Sequence, residues 1–377
     1  MELPTTTTSA AQLLENLLNS EVDSGSSGAS NLGVTHKRTN YRDLAKYQNV
    51  LSYSMEQTLQ NCPRKFKLMK LRADCEDGEP DMEPNVDFAF GHAVGAGVAE
   101  FDRTRDVSKA IFAAFLAWNI DLLATGQKKD SGRDPKKSFA HAVWALKLYE
   151  SFFEEERLDE YYVEHVEATI AVDLEDGNFY VGHIDELLKH QETGRLKIKE
   201  NKTTVFDAVD PALYANSDQA LSYAVVVDTY GETDYDVFYC IYSTTSQRWI
   251  AMSFVKSALD KAEWLQGQLL LTNELAEYSR INFFPKHGQT CFNFSRRCEF
   301  FEVCGFDSDR TFGKKFSDLE VIKNFEELEA VEPLNFKIRL SDLIQHQEKD
   351  LISQGSQQPH PNQGHKLLKN TTGMESL

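Results

Sequence analysis

The sequence predicts an α/β chain in which a mixed central sheet is flanked by helices and extended by a helical insertion. Three observations carry that prediction. Phe179 to Leu188 and Leu196 to Thr204 alternate apolar or β-branched residues with polar ones around Glu192-Thr193-Gly194-Arg195, the pattern of a β-hairpin. Tyr235 to Thr245 and Arg248 to Val255 repeat it around Ser246 and Gln247. Between and before them, segments with apolar residues at helical spacing run from Val107 to Thr125 and from Ser138 to Tyr161.

Taken in order, Met1 to about residue 50 is rich in Thr, Ser, Gly and Asn and reads as a flexible arm with one short amphipathic piece, Ala11 to Leu18, suited to docking a protein partner. From Leu51 the composition changes. Ser54 stands as a helix N-cap before apolar residues at helical spacing, including Leu59, Phe66 and Met69. Asp74 to Asp87, acidic and with two prolines, reads as an exposed loop, and Phe88 to Phe101 as a helix crowded with small residues. The Gly126 to Lys137 loop, with Lys128, Lys129, Arg133, Lys136 and Lys137, is the best basic patch for a nucleic-acid backbone. Glu164 to Leu174 alternates as a strand leading into the first hairpin. Asp210-Pro211 start a helix reaching Thr229, and Lys256 to Arg280 is a long helix. Residues 51–306 form one domain, 307–349 a helical extension, and 350–377, with their Gln, Ser, Pro, Gly and Asn, a disordered tail.

Composition bounds the function. A chain of 377 residues with 41% hydrophobic and 11% aromatic residues is globular and long enough for a large core. It lacks both an 18-residue apolar run and a secretory signal, so no membrane association is expected and the expected location is cytoplasmic. Six cysteines over this length do not form a disulfide scaffold and fit a reducing compartment. A formal net charge of -19 opposes broad binding to phosphate backbones, although a bound cation inverts the field locally. There is no G-x-x-x-x-G-K-[ST], hence no ATP-driven motor of that class.

The first hairpin carries the chemistry. Antiparallel pairing about Glu192 and Thr193 matches residues whose numbers sum to about 385, which sets Asp185 opposite Glu200 to within a residue or two. The two-residue strand period places Lys202 on the face of Glu200, along with Leu196 and Ile198. Two carboxylates and a lysine on an otherwise apolar face are costly to bury unless paired. A hard divalent cation, Mg2+ or Mn2+, is an economical partner, and the lysine is then left for an anionic substrate. Gly182, just before, marks close approach of another chain segment or a ligand. On the Asp210 to Thr229 helix, Gln219 and Tyr223 are four apart and share a face.

A second cluster lies near the end. Cys291, Cys298 and Cys304 fall within 14 residues, a coordination signal, and Cys62, also beside basic residues, is the candidate fourth ligand. His287 is an alternative ligand. Iron-sulfur and zinc ligation both fit these residues.

Gly182-His183-Ile184-Asp185 followed by a hairpin and Ile198-Lys199-Glu200-Asn201-Lys202 resembles the PD-(D/E)XK nuclease superfamily, in particular its RecB-like exonuclease branch, which includes phage-type and CRISPR-associated enzymes. Further segments extend the resemblance in the family's order: S-x-S before C-P-R-K-F at Ser52 to Phe66, and Q-x-x-x-Y at Gln219 and Tyr223. The resemblance implies a restriction-endonuclease-like fold and metal-dependent hydrolysis of DNA, at DNA ends, in recombination, repair or phage replication. It implies metal binding by Asp185 and Glu200, catalysis by Lys202, and orientation of the strand and the lysine by Gln219 and Tyr223. It also implies a 4Fe-4S cluster on Cys62, Cys291, Cys298 and Cys304 that clips the ends of the domain together. Two departures stand out. The family's metal-binding histidine falls at Gly95, with His92 as the nearby substitute, and the spacing from Cys291 to Cys298 is wider than the family's, with Ser295 at the usual place. A catalytically weak DNA-binding or assembly subunit retaining the fold as a scaffold is the alternative these departures raise.

Overall fold

The computed structural model describes residues 47–74, 86–123, 137–175, 177–230, 235–293, 296–305 and 312–355. Residues 1–46, the basic positions 128 to 136 and the tail from 356 lie outside that set, as does most of the acidic loop before Val86. The chain enters the sheet at β1 (Val50–Leu51) and continues into helices α1 (Tyr53–Asn61) and α2 (Pro63–Ala73). Helices α3 (Val86–Thr104), α4 (Val107–Leu123) and α5 (Phe139–Glu155) follow, then strands β2 (Tyr161–Glu175), β3 (Asn178–His190) and β4 (Leu196–Thr204). Helices α6 (Pro211–Ala215) and α7 (Asp218–Tyr230) cross to strand β5 (Tyr235–Ser243), which turns into β6 (Arg248–Phe254) and helix α8 (Ala258–Arg280). A two-residue hairpin, β7 (Phe292–Asn293) and β8 (Arg296–Arg297), precedes helix α9 (Phe325–Val331), strand β9 (Phe336–Arg339) and helix α10 (Leu340–Gly355).

The strands form one seven-stranded mixed sheet in the order β6-β5-β4-β3-β2-β9, with β1 also paired to β3. β4 to β5 is parallel, as the helical crossover between them requires, while the hairpins β2-β3, β3-β4 and β5-β6 are antiparallel. Helices cover both faces. On one, α7 and α8 close over Ile170, Ile198, Val237 and Ile241, with Phe66 and Leu59 from the N-terminal pair. On the other, α3, α4 and α5 pack Phe90, Phe101, Leu146 and Tyr149 against Phe238, Cys240 and Tyr242. This is the restriction-endonuclease-like α/β arrangement expected, with α4 and α5 as the helical insertion. With both faces covered, β5 is buried along its whole length and has no polar face to alternate.

Several boundaries differ from expectation for local reasons. The helix expected from Ser54 starts two residues earlier, capped at Ser52, and Pro63, which cannot donate a backbone N–H, divides it at Cys62 into α1 and α2. The helix expected from Asp210 to Thr229 is two, split at Asn216 and Ser217. The Ser138 to Tyr161 segment leaves the helix at Glu156, and Tyr161 already belongs to β2. The fold also reaches beyond its expected limits: Val50 pairs with Phe179, and the extension contributes β9, parallel to β2, as well as helices.

Candidate active site

The first hairpin pairs as its alternation predicts. Glu186 faces Lys199 and Leu187 faces Ile198, both summing to 385. The ladder stops at Glu186 and Lys199. Beyond it β1 occupies the same edge of β3, pairing Val50 and Leu51 with Phe179 and Tyr180. Asp185 sits in this fork. Its Oδ2 accepts the backbone N–H of Asn201 at 2.8 Å, a side chain substituting for the next rung of the ladder. Across β2 the register passes from Val166↔Glu186 to Ala168↔Ile184, so Glu167 lies opposite Asp185, and Glu167 has a left-handed φ of 50°. Both neighbours of Asp185 are thus irregular. Ile184 and Leu187 enter the same core, which shifts the alternation by one and frees Asp185 from the regular pleat.

Glu200 and Lys202 project from β4 as expected. Glu200 is 2% exposed, and Nζ of Lys202 donates to its Oε1 at 2.5 Å. The same Nζ donates to Oε1 of Gln219 at 3.0 Å, and Nε2 of Gln219 donates to the hydroxyl of Tyr223 at 2.9 Å. One continuous chain therefore runs from Glu200 through Lys202 and Gln219 to Tyr223, linking β4 to α7. Tyr223 fits because residue 182 is glycine: a Cβ there would come within 3.0 Å of the tyrosine ring.

The electrostatics are strained in one direction. Burial raises the Asp185 carboxyl above its usual range, with Lys202 and the Asn201 N–H opposing it. Burial and the neighbouring charge of Asp185 push Glu200 up to about 7. For Lys202 burial acts downward, but Glu200 and Asp185 outweigh it and hold the ammonium above its ordinary range. Oε2 of Glu200 is buried with no hydrogen-bond partner. Two mutually repelling carboxylates, one with an orphaned oxygen, are a donor set that fits a divalent cation.

A cavity of about 260 Å³ adjoins this chain, lined by Ser52, Ser54, Gly182, His183, Gln219 and Tyr223. Burial lowers His183 to about 4, so it is neutral there. His92, on α3, is exposed and its ring stacks on Phe88 at 6.4 Å between centroids. The donor atoms of Asp185, Glu200 and His92 do not all fall within 4.8 Å of one another. One turn along α3, a Cβ at Gly95 would meet nothing within 4 Å, so there is room where the resemblance expects a histidine.

Sequence reasoning missed Asn201, which joins the two halves of the site: its N–H holds Asp185, while its side-chain amide donates to Glu186 at 3.0 Å. It also missed a second buried charge group on the reverse face of the hairpin. Lys199, fully buried, donates to Asp102 of α3 at 2.7 Å and to Glu186, and the Tyr149 hydroxyl donates to Asp102 at 3.2 Å.

The cysteines lie where α2 meets the end of the domain. Arg64 stitches the two together, donating to the carbonyls of Phe284 at 2.8 Å and Gly305 at 2.7 Å, while its backbone N–H reaches Pro285. The backbone of Cys298 donates to Cys291 at 2.8 Å across the β7-β8 hairpin. Cys62 is buried, and Cys291, Cys298 and Cys304 are half-buried. Burial raises the Cys304 thiol, Arg64 opposes the rise, and Cys62 and Cys291 are close enough to add to it. His287, the alternative ligand, has its Nδ1 2.9 Å from the Asn61 carbonyl. No helix among the described residues is long and apolar enough to cross a membrane.

Compared with known proteins, residues 50–305 match the family model of the PD-(D/E)XK nuclease superfamily. Among solved structures, the chain is similar to a putative exonuclease from Eubacterium rectale, at 12% identity over 72% of this chain and 92% of that one, with a TM-score of 0.45. No curated protein sequence matches.

Proposed function

The chain belongs to the PD-(D/E)XK nuclease superfamily, and from that premise we propose that it is a Mg2+- or Mn2+-dependent deoxyribonuclease, an exonuclease of the RecB-like kind acting at DNA ends. The observation that carries the reading is the chain from Glu200 through Lys202 and Gln219 to Tyr223, set beside Asp185 and the orphaned Glu200 oxygen.

In this reading Asp185 and Glu200 would hold the cation, while the expected third ligand, His92, is exposed, stacks on Phe88 and is not gathered with them. A cation there supplies Lewis acidity toward a phosphodiester oxygen and activates water as nucleophile. The chain's own residues do the rest. Lys202, kept charged by two carboxylates, is placed to stabilise negative charge developing on the phosphate. Gln219 fixes the lysine's direction, and Tyr223 fixes Gln219. The adjoining cavity, with Ser52, Ser54 and Tyr223 in its wall, takes the nucleotide next to the scissile bond.

Cys62, Cys291, Cys298 and Cys304 hold a 4Fe-4S cluster in this reading. Zinc on the same four thiolates, with Zn–S bonds of about 2.3 Å, is the alternative ligation. A brown protein whose visible absorption disappears in Cys62→Ser is the expected result.

The deciding assay uses end-labelled single- and double-stranded DNA, linear against circular, with Mn2+ or Mg2+. Degradation of linear DNA, sparing of circles and loss in Lys202→Ala are expected; undiminished cleavage by Lys202→Ala overturns the site. Gly95 in place of the family's histidine favours a second reading, a DNA-binding or assembly subunit of weak activity, possessing no Mn2+ affinity by calorimetry. Protein partners in recombination or replication, engaged through the terminal arms, belong to either reading.

A further inference from the structure

A second set of potential metal donors lies away from the hairpin. Asp228 near the end of α7, and His346 and Asp350 one turn apart on α10, bring one donor atom each to within 4.8 Å of one another. Nε2 of His346 is 3.7 Å from Oδ2 of Asp228 and 3.6 Å from Oδ2 of Asp350. These separations are too long for hydrogen bonds. They are close to the spacing of about 3.4 Å between ligands that sit about 2.1 Å from a tetrahedral ion.

Two further observations point to a ligand. Asp228 is 2% exposed, and its Oδ1 is buried with no hydrogen-bond partner. Nε2 of His346 is likewise buried without one. Oδ1 of Asp228 and Nε2 of His346 are thus two buried polar atoms that each lack the hydrogen-bond partner burial demands. Oδ2 of Asp228 receives Nζ of Lys261 from α8 at 2.7 Å, which fixes the carboxylate and leaves Oδ1 for another partner. Such outer contacts commonly orient ligating carboxylates.

We propose that Asp228, His346 and Asp350 form a structural site for zinc or a similar divalent transition ion, which staples the C-terminal helix α10 onto α7. One imidazole with two carboxylates suits zinc. Lys261 offsets part of the acidic charge, so the occupied site carries a small net charge in a part-buried place. Because α7 also carries Gln219 and Tyr223, the staple secures the helix that supports the hairpin from the far end. The site does not depend on the nuclease reading, and its test reads metal rather than activity.

Full-length protein is stripped with chelator, reloaded with zinc, desalted and analysed for zinc per chain and for thermal unfolding. His346→Ala and Asp350→Ala, both at part-exposed positions, are expected to hold one zinc fewer than the parent and to lose its zinc-dependent rise in unfolding temperature. Glu200→Gln is expected to keep this zinc, and His346→Cys, which supplies another zinc ligand, to regain it. Cobalt in place of zinc adds a control, since an oxygen and nitrogen site gives no sulfur charge-transfer band. Equal zinc content in the parent and His346→Ala, with the same thermal response, overturns the proposal and leaves His346 as a hydrogen-bonding or ionic contact.

Discussion

The backbone N–H of Asn201 donates to Oδ2 of Asp185 at 2.8 Å, at the point where β3 and β4 cease to pair. A carboxylate thus stands where a carbonyl would continue the ladder. The bond anchors one oxygen of Asp185, whose charge acts on Glu200, and partly opposes the upward pull of burial on its proton affinity.

Metal binding and catalysis are separable at this site. Glu200→Gln removes a donor, so Mn2+, which should raise the unfolding temperature of the chelator-treated parent, should raise that of Glu200→Gln less. Lys202→Ala should retain the Mn2+ response and lose DNA cleavage by about 10²-fold or more. Thermal scans with and without Mn2+, paired with the cleavage assay, check both. A Mn2+ response surviving intact in Glu200→Gln contradicts its place in the ligand set.

Lys199 predicts a stability defect. It is fully buried between Asp102 and Glu186, and the pull of their charges exceeds the effect of burial, holding its ammonium above the ordinary range. Lys199→Met strands two buried carboxylates, a change that costs about 3–5 kcal/mol. The urea midpoint should fall accordingly, and Asp102→Asn added to Lys199→Met should recover part of the loss. A midpoint unchanged in Lys199→Met argues against the network.

How much of this was legible in the sequence follows from how local each relationship is. The 385 register, with Asp185, Glu200 and Lys202 on one face, rests on a four-residue turn and the two-residue strand period, and both are visible in the chain. Gln219 and Tyr223 share a helical face by spacing alone. Lys199 was not legible as a core residue. Its partner Asp102 comes from a helix 97 positions away, and nothing in alternation distinguishes a buried lysine from a solvated one. Strand β9 is four residues long and half-buried, too short for a period to register.

Gly182 is expected to be intolerant of enlargement. A Cβ there would sit 3.0 Å from the Tyr223 ring and 3.3 Å from Ile170, both in the packed core. Gly182→Ala therefore displaces Tyr223 or costs about 1–3 kcal/mol in overpacking. If the tyrosine moves, Gln219 loses its hydroxyl partner and Lys202 its fixed direction. Cleavage should then fall in Gly182→Ala to the level of Tyr223→Phe, measured side by side. Full activity together with unchanged stability would show that the close approach is not needed.

Glu56 predicts the pH dependence of stability. It lies on α1, 4% exposed, and burial raises its carboxyl from 4.5 to about 8, with Asp218 adding to the rise and a hydrogen bond to Gln268 opposing it. Tyr53 and Tyr180 also face it. The folded protein keeps the proton that the unfolded chain releases, so the contribution of Glu56 is fully present below pH 4.5 and is lost as pH rises toward about 8. At about 1.4 kcal/mol for each pKa unit, the loss amounts to a few kcal/mol. Glu56→Gln, neutral at every pH, removes this contribution. Asp102 and Glu200, both raised to about 7 chiefly by burial, give parent and variant a shared decline. The readout is therefore the difference in urea midpoint: Glu56→Gln should gain on the parent steadily from pH 5 to pH 8. Parallel curves over that range would mean that Glu56 is charged in the folded protein and paired with a cation.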